Sequence, residues 1–282
     1  MTSQFKTFFL LVLLSGILIC IGGVLGGMGG VIIATVLALL INLTSYWYSD
    51  SIILKMYNAQ PITQEDAPLL YTSLQTMAYK ANIPMPSLYL IEESIPNAFA
   101  TGRSPEHGVI VLTKGLLTLL TPEEICAVMG HELGHIANRD TLIQTITAII
   151  ASSIVSLANM LQFTALFGSR SSDSEGNTNG IHMLILSILA PLAATLIQFA
   201  ISRSREYLAD DTGSDFHGNP NDLASALYKI QEYAQRGHLQ ATDATAHLFI
   251  ISPLSSQGLH SLFSTHPPTE ERIKRLQAKA HK

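Results

Sequence analysis

The chain has 282 residues, 48% of them hydrophobic. Only 13% are charged, against about 25% in an average soluble domain, so lipid is expected to be part of the solvent. A net charge of −5 excludes the broad basic surface that a nucleic-acid partner would need. The two cysteines, Cys20 and Cys126, are too few for a disulfide framework and suit a reducing compartment.

After Lys6 no charged residue appears from Thr7 to Tyr46, a run far beyond the roughly 7–15 apolar residues of a cleaved signal. Gly26-Gly27-Met28-Gly29-Gly30 divides it into stretches at about 7–25 and 31–47. Each has the length, about 17–25 residues, that crosses the hydrocarbon core as a helix. Residues 1–47 are therefore predicted to form a transmembrane hairpin. Next, Leu69, Leu70, Leu74 and Met77 recur at helical spacing within Ala67–Ala81. Ser87–Ile91 and Gly108–Leu112 are β-rich runs flanked by Pro and Gly, and are predicted strands. Thr121-Pro122-Glu123-Glu124 spells a capping box, with Thr121 as N-cap and Pro122 at the first helical position.

Neither Thr141–Phe167 nor Met183–Ile201 holds an Asp, Glu, Lys, Arg or His, and the polar loop Gly168–Gly180 lies between them. This predicts a second transmembrane hairpin over 141–201, with spans at about 141–167 and 183–201. Helices are expected at Pro220–Gln235 and Pro267–Lys279. The segments 48–140 and 202–282 then make one helix-rich α+β domain interrupted by that hairpin. Lys6, Arg139, Arg203 and Arg205 flank the spans on one side, whereas the outer turns hold only Arg170, offset by Asp173 and Glu175. The Lys/Arg bias puts both termini and the α+β domain on the cytoplasmic side.

The capped helix carries His131-Glu132-Leu133-Gly134-His135. Residues four apart share a helical face, so both imidazoles can meet one Zn²⁺ with Glu132 beside them as a base. A hydrolytic zinc needs a third protein ligand. The position six residues after His135 is Thr141, not the His of a metzincin, and Asp140 would point away from the histidines if the helix continued. The third span has no candidate, and Asp173 and Glu175 would lie across the membrane. The ligand is therefore expected after the fourth span, where Glu206 comes first and Asp211, Asp215 and His217 compete with it. Asp210, one turn beyond Glu206, suits the acceptor of a ligating histidine's free N–H. At about 1.5 Å per residue, His135 and Glu206 each lie roughly 7–10 Å from a span end.

In their order and spacing, these features resemble the HtpX-like membrane zinc metalloproteases, bacterial relatives of the eukaryotic CAAX prenyl protease. The resemblance spans nearly the whole chain and includes Pro96-Asn97-Ala98-Phe99-Ala100-Thr101-Gly102 and His266-Pro267-Pro268-Thr269-Glu270-Glu271-Arg272. It implies four transmembrane helices with a gluzincin-like cytoplasmic metalloprotease domain binding one zinc. It also implies a multi-pass protein of the bacterial inner membrane that hydrolyses misfolded or membrane polypeptides in stress-linked quality control. By the same resemblance, Glu206 is the third ligand and Asp210 its supporter. Asn97, Ala98, Phe99 and Ala100 form an edge strand that pairs with substrate, while His266 and Arg272 flank the metal as oxyanion stabiliser and positioning group.

Two other readings are weaker. An intramembrane protease of the site-2 type would set the motif in a hydrophobic span, but Glu123, Glu124, Arg139 and Asp140 flank it. A membrane scaffold with an inert zinc site would have no need of Glu132. Cys126 should face the core, His182 the far membrane surface, and His107, His238, His260 and His281 solvent. Leu248-Phe249-Ile250-Ile251 could line the cleft, touch lipid or pack.

Overall fold

At Gly27, where φ is 57° and ψ −142°, the 45-residue helix α1 (Ser3–Trp47) doubles back. Only glycine adopts that conformation readily. The computed structural model describes residues 3–147, 149, 203–238, 250 and 267–281. The loop 168–180, the fourth span, most of the third, and His182, His260 and His266 lie outside the described residues.

The two limbs of α1 run antiparallel. Gly22 and Gly30 touch through their backbones, leaving no room for a β-carbon on either, and Asn42 Nδ2 donates to Ser15 Oγ at 2.8 Å. The two limbs make a helical hairpin that turns at one residue, where the sequence predicted a five-residue glycine break. Its second limb, Gly26–Trp47, is the one helix among the described residues long and apolar enough to cross a membrane. Ala34, Ala38 and Ser45 on that limb are buried, whereas Ile32, Ile33, Leu39, Leu40, Leu43 and Trp47 are exposed.

A short helix, α2 (Ser49–Met56), leads into a four-stranded sheet. The strands are β1 (Gln60–Pro61), β2 (Ser87–Ile91), β3 (Ala98–Thr101) and β4 (Val109–Thr113), in the order β1-β2-β4-β3. β2 and β4 run parallel with Ser87 opposite Val109; β3 lies antiparallel to β4 with Ala98 opposite Leu112. Every residue of the Val-Ile-Val-Leu-Thr strand β4 is buried, as expected of a central strand covered on both faces. β3 is left at the edge. Helix α3 (Pro68–Lys80) sends Leu70, Leu74 and Met77 into the core with Ile110 and Leu112. After α4 (Lys114–Leu119), capped by Thr113, the chain enters the central helix.

That helix is α5 (Pro122–Ala137). Its capping box is formed: Thr121 N–H donates to Glu124 Oε2 at 2.8 Å, and Glu124 N–H to Thr121 Oγ1 at 3.4 Å. Every residue from Glu124 to Ile136 is buried, so α5 is enclosed all round rather than lying on a surface. Helix α6 is described over residues 141–147. Helices α7 (Arg203–His217), α8 (Pro220–Tyr233) and α9 (Thr269–Ala280) complete the domain. α9 opens two residues later than the sequence predicts. Pro268 disfavours the helical region for Pro267 and itself takes ψ 130°. The architecture is helix-rich α+β.

Candidate metal centre

Helix α5 aims His131 and His135 to the same side, their ring centroids 4.8 Å apart and nearly perpendicular. Glu206, in the first turn of α7, meets them. Its Oε1 lies 3.4 Å from His135 Nε2 and its Oε2 3.8 Å from His131 Nε2. Ligand atoms of the three residues lie within 4.8 Å of one another, and all three residues are buried. Donors about 2.0–2.1 Å from a tetrahedral zinc would stand roughly 3.3–3.4 Å apart, so this set fits the ion in both chemistry and spacing. Glu132 is buried on the same stretch of α5.

The two helices come this close because glycines line their crossing. A β-carbon on Gly130 would lie 2.8 Å from the Gly213 carbonyl oxygen, and one on Gly134 would lie 3.0 Å from that of Ala209. Larger residues would separate the histidines from the carboxylate.

Behind His131 stands a closed polar chain. His131 Nδ1 is 2.9 Å from Asp210 Oδ1. Arg272, from α9, grips Asp210 with two hydrogen bonds: Nε donates to Oδ2 at 2.8 Å and Nη2 to Oδ1 at 2.7 Å. Such a fork is among the stronger charge-assisted contacts. Burial alone would push the Asp210 carboxyl up, but the Arg272 charge and the hydrogen bonds from Arg272 and His131 hold it below the ordinary carboxylate range. Burial likewise opposes the Arg272 charge, and Asp210, then Glu206 and Glu132, more than restore it. Arg272 also donates through Nη1 to the Ile250 carbonyl at 2.8 Å.

His135 is backed differently from the sequence expectation. α5 does not continue past Ala137. Arg139 takes a left-handed φ of 58°, and Asp140 N–H turns back to donate to the His135 carbonyl at 2.9 Å. Asp140 Oδ2 thereby comes to 3.6 Å from His135 Nδ1. Asp140, expected to point away, points in. Burial disfavours a protonated His135, but Glu206, Asp140 and Glu132 outweigh it and raise its pKa to about 9. The pocket is thus short of positive charge.

Two of the competitors for the third ligand are engaged elsewhere: Asp215 pairs with Lys279 at 2.8 Å and His217 with Asp222 at 2.7 Å. Asp211 is not among the residues that gather with His131 and His135. Asn97 precedes the edge strand. Its N–H donates to Thr113 Oγ1 at 2.8 Å, and its Oδ1 accepts from Ile250 N–H at 3.1 Å. Ala98, Phe99 and Ala100 are buried along β3, with Phe99 against the Tyr57 ring. Ile250 packs into the main core; Leu248, Phe249 and Ile251 of its run lie outside the described residues. The Ile250 peptide also bridges Asn97 to Arg272, a contact no sequence signal announced. Cys126 is buried, which pushes its thiol up. His107 and His281 are exposed.

The description "Peptidase family M48" matches residues 64–280 of this chain. Three full-length relatives carry matching names. A "Protease HtpX homolog" of Syntrophobacter fumaroxidans is 51% identical over 281 residues, covering 99% of this chain and 100% of that one. A "Protease HtpX homolog" of Pyrococcus furiosus is 49% identical over 272 residues, covering 96% and 94%. "Protease HtpX" of Legionella pneumophila is 47% identical over 281 residues, covering 99% of both. Among solved structures, S. mikatae Ste24p superposes with a TM-score of 0.50 at 22% identity. That alignment covers 86% of this chain and 57% of the other, and speaks to the fold alone. With a family match over most of its length and full-length relatives at about half identity, the chain is a metalloprotease and belongs to peptidase family M48.

Proposed function

We propose that the chain is a zinc-dependent membrane endopeptidase in which His131, His135 and Glu206 hold one zinc and Glu132 is the general base. The observation that carries this is the convergence of those three buried donors on the turn of α5 that bears Glu132. Zinc in such a site polarises a carbonyl and makes a water acidic near neutral pH. The Glu132 carboxylate takes the proton of the attacking water and returns it to the leaving amine nitrogen. Asp210 and Arg272 hold His131 by its Nδ1 side, so that Nε2 faces Glu206. His266, six residues before Arg272, is the proposed donor to the developing oxyanion. Purified Glu132→Gln should keep one zinc per chain and lose casein cleavage, because Glu132 is a base and not a ligand. Loss of the metal in that variant would sink the assignment.

Substrate is proposed to lie as an added strand beside β3, along Asn97–Ala100. Main-chain pairing of this kind tolerates varied side chains, as cleavage of misfolded or membrane polypeptides requires. The bilayer is the proposed partner of the α1 hairpin. The bulky exposed residues of its second limb would face lipid, and Tyr46, Trp47 and Tyr48 would mark the headgroup level. Arg103 stacks over the Trp47 ring at 5.1 Å and donates to its carbonyl at 2.9 Å, fastening the hairpin to the loop after β3. Together with the apolar runs of 141–201, this supports four spans in a bacterial inner membrane. The Lys/Arg bias favours an active site on the cytoplasmic side.

A further inference from the structure

Two histidines face the proposed metal, and the surroundings of their far sides differ in an informative way. Behind His131 the chain to Asp210 and Arg272 is closed, with every link between 2.7 and 2.9 Å. Behind His135 stand the same three kinds of group in the same order, but slack. His135 Nδ1 faces Asp140 Oδ2 at 3.6 Å, and Asp140 Oδ1 faces Arg205 Nε at 3.7 Å. These are longer than hydrogen bonds. Yet His135 Nδ1, Asp140 Oδ2, Arg205 Nε and Arg205 Nη2 are all buried without a hydrogen-bond partner among the described residues. Orphaned buried polar atoms are rare and costly, and here four of them belong to three neighbouring groups, donor beside acceptor beside donor.

We propose that Asp140 is a positioning residue for His135, with Arg205 as the charge that holds Asp140, so that each histidine is backed by its own carboxylate and arginine. The inference rests on His135 being a ligand. An ion at Nε2 fixes the remaining proton on Nδ1 and makes that N–H a stronger donor, which gives the neighbouring carboxylate its reason to close. The placement is built into the backbone. Arg139 at φ 58° reverses the chain, and the Asp140 N–H bond to the His135 carbonyl holds the carboxylate beside that ring. Arg205 precedes Glu206 in α7, so one arginine braces the carboxylate behind one ligand while its neighbour supplies another. Asp140 also links α5 to α6, and Thr141 Oγ1 donates to the Gly102 carbonyl beside the edge strand at 2.9 Å.

Asp140 also stands at the N-terminus of α6, and its carbonyl accepts from Gln144 N–H at 3.3 Å. The test must separate that capping position from metal positioning. Full-length Asp140→Ser, Asp140→Asn, Arg205→Gln and His135→Ala are purified in detergent beside the wild type. Zinc affinity is measured by competition with a chromophoric chelator, and melting is measured on the zinc-free proteins. Ser and Asn both cap helices well, so zinc-free melting should stay near wild type. Asp140→Ser should weaken zinc binding about 10- to 100-fold, the usual cost of losing a carboxylate behind a ligating histidine. Asp140→Asn keeps an acceptor oxygen without charge and should lose less, as should Arg205→Gln. In the zinc-loaded wild type, the His135 Nδ1–H proton resonance should lie downfield and move upfield in Asp140→Ser. Native zinc affinity in Asp140→Ser would overturn the proposal, and lowered melting with native affinity would reduce Asp140 to a cap. If His135→Ala binds zinc like the wild type, the metal site itself has been misassigned.

Discussion

Gly213 of α7 lies against the backbone of Gly130 of α5 so closely that a β-carbon on Gly213 would stand 2.5 Å from the Gly130 carbonyl oxygen and 2.6 Å from the His131 Cα. The obstacle is backbone on both counts and cannot swing aside. Gly213→Ala should therefore push the two ligand-bearing helices apart. Overpacking of this kind costs about 1–3 kcal/mol, and the displacement falls directly on the contact between His131 and Glu206. The variant should melt lower in detergent and retain less zinc. Gly218→Ala is the control: its φ of 100° makes alanine strained, but nothing lies within 4 Å of the added carbon. It should lose stability and keep its zinc. Native zinc content in Gly213→Ala would mean that the glycine crossing does not hold the ligands together.

Among the described acids and histidine after residue 202, only Glu206 faces the Nε2 atoms of both imidazoles. Glu206→Ala should strip most of the zinc. His217→Ala should leave zinc content unchanged, because that ring is spent on Asp222, and so should Asp215→Ala, whose carboxylate pairs with Lys279. Metal analysis of the three purified variants decides it. A zinc-free His217→Ala beside a zinc-loaded Glu206→Ala would reverse the assignment.

The residues that carried local rules were legible in the sequence. Thr121 and Glu124 announce their helix by capping chemistry, and the i, i+4 spacing of His131 and His135 follows from helical period alone. Glu206 was expected by elimination, which needed the absence of acids in the apolar runs and a loop 168–180 on the far side of the membrane. Asp140 was misplaced because the left-handed turn that redirects it falls on Arg139, with no glycine to signal the reversal. The Gly130, Gly134 and Gly213 crossing joins two segments more than seventy residues apart in sequence at their glycines, a pairing that periodicity does not reveal. The Ile250 peptide bridging Asn97 and Arg272 is likewise a tertiary contact of backbone atoms, invisible to any side-chain pattern.

Elimination of Asp173 and Glu175 as ligands depends on the loop 168–180 lying across the membrane from His131. Reporter fusions after Ser171 should read as outside, whereas fusions after Asp50 and at Lys282 should read as inside. An inside signal from the Ser171 fusion would reopen the choice of third ligand and remove the second hairpin.

The capping box at the start of α5 yields a pH dependence whose sign can be worked out. Glu124 accepts from Thr121 N–H at 2.8 Å, Ser225 Oγ at 2.7 Å and Lys229 Nζ at 2.8 Å. Burial would raise its pKa above 4.5, but the hydrogen bonds from Lys229, Ser225 and Thr121 and the Lys229 charge prevail and lower it. A carboxylate whose folded pKa is depressed adds stability that is complete above its unfolded pKa and fades as pH falls through the folded value. Near neutral pH, Glu124→Gln should therefore cost about 1–3 kcal/mol, since it removes a charged acceptor from a buried cluster and weakens the cap. Below about pH 4.5 the unfolded chain takes up the proton first, so the wild type's advantage fades and is gone once pH has fallen through the lower folded value. Melting of both proteins in detergent, followed from pH 7 to well below pH 4, should show two curves that converge as the solution is acidified. A gap that stays constant across that range would mean that Glu124 acts through shape and hydrogen bonding, with no contribution from its charge.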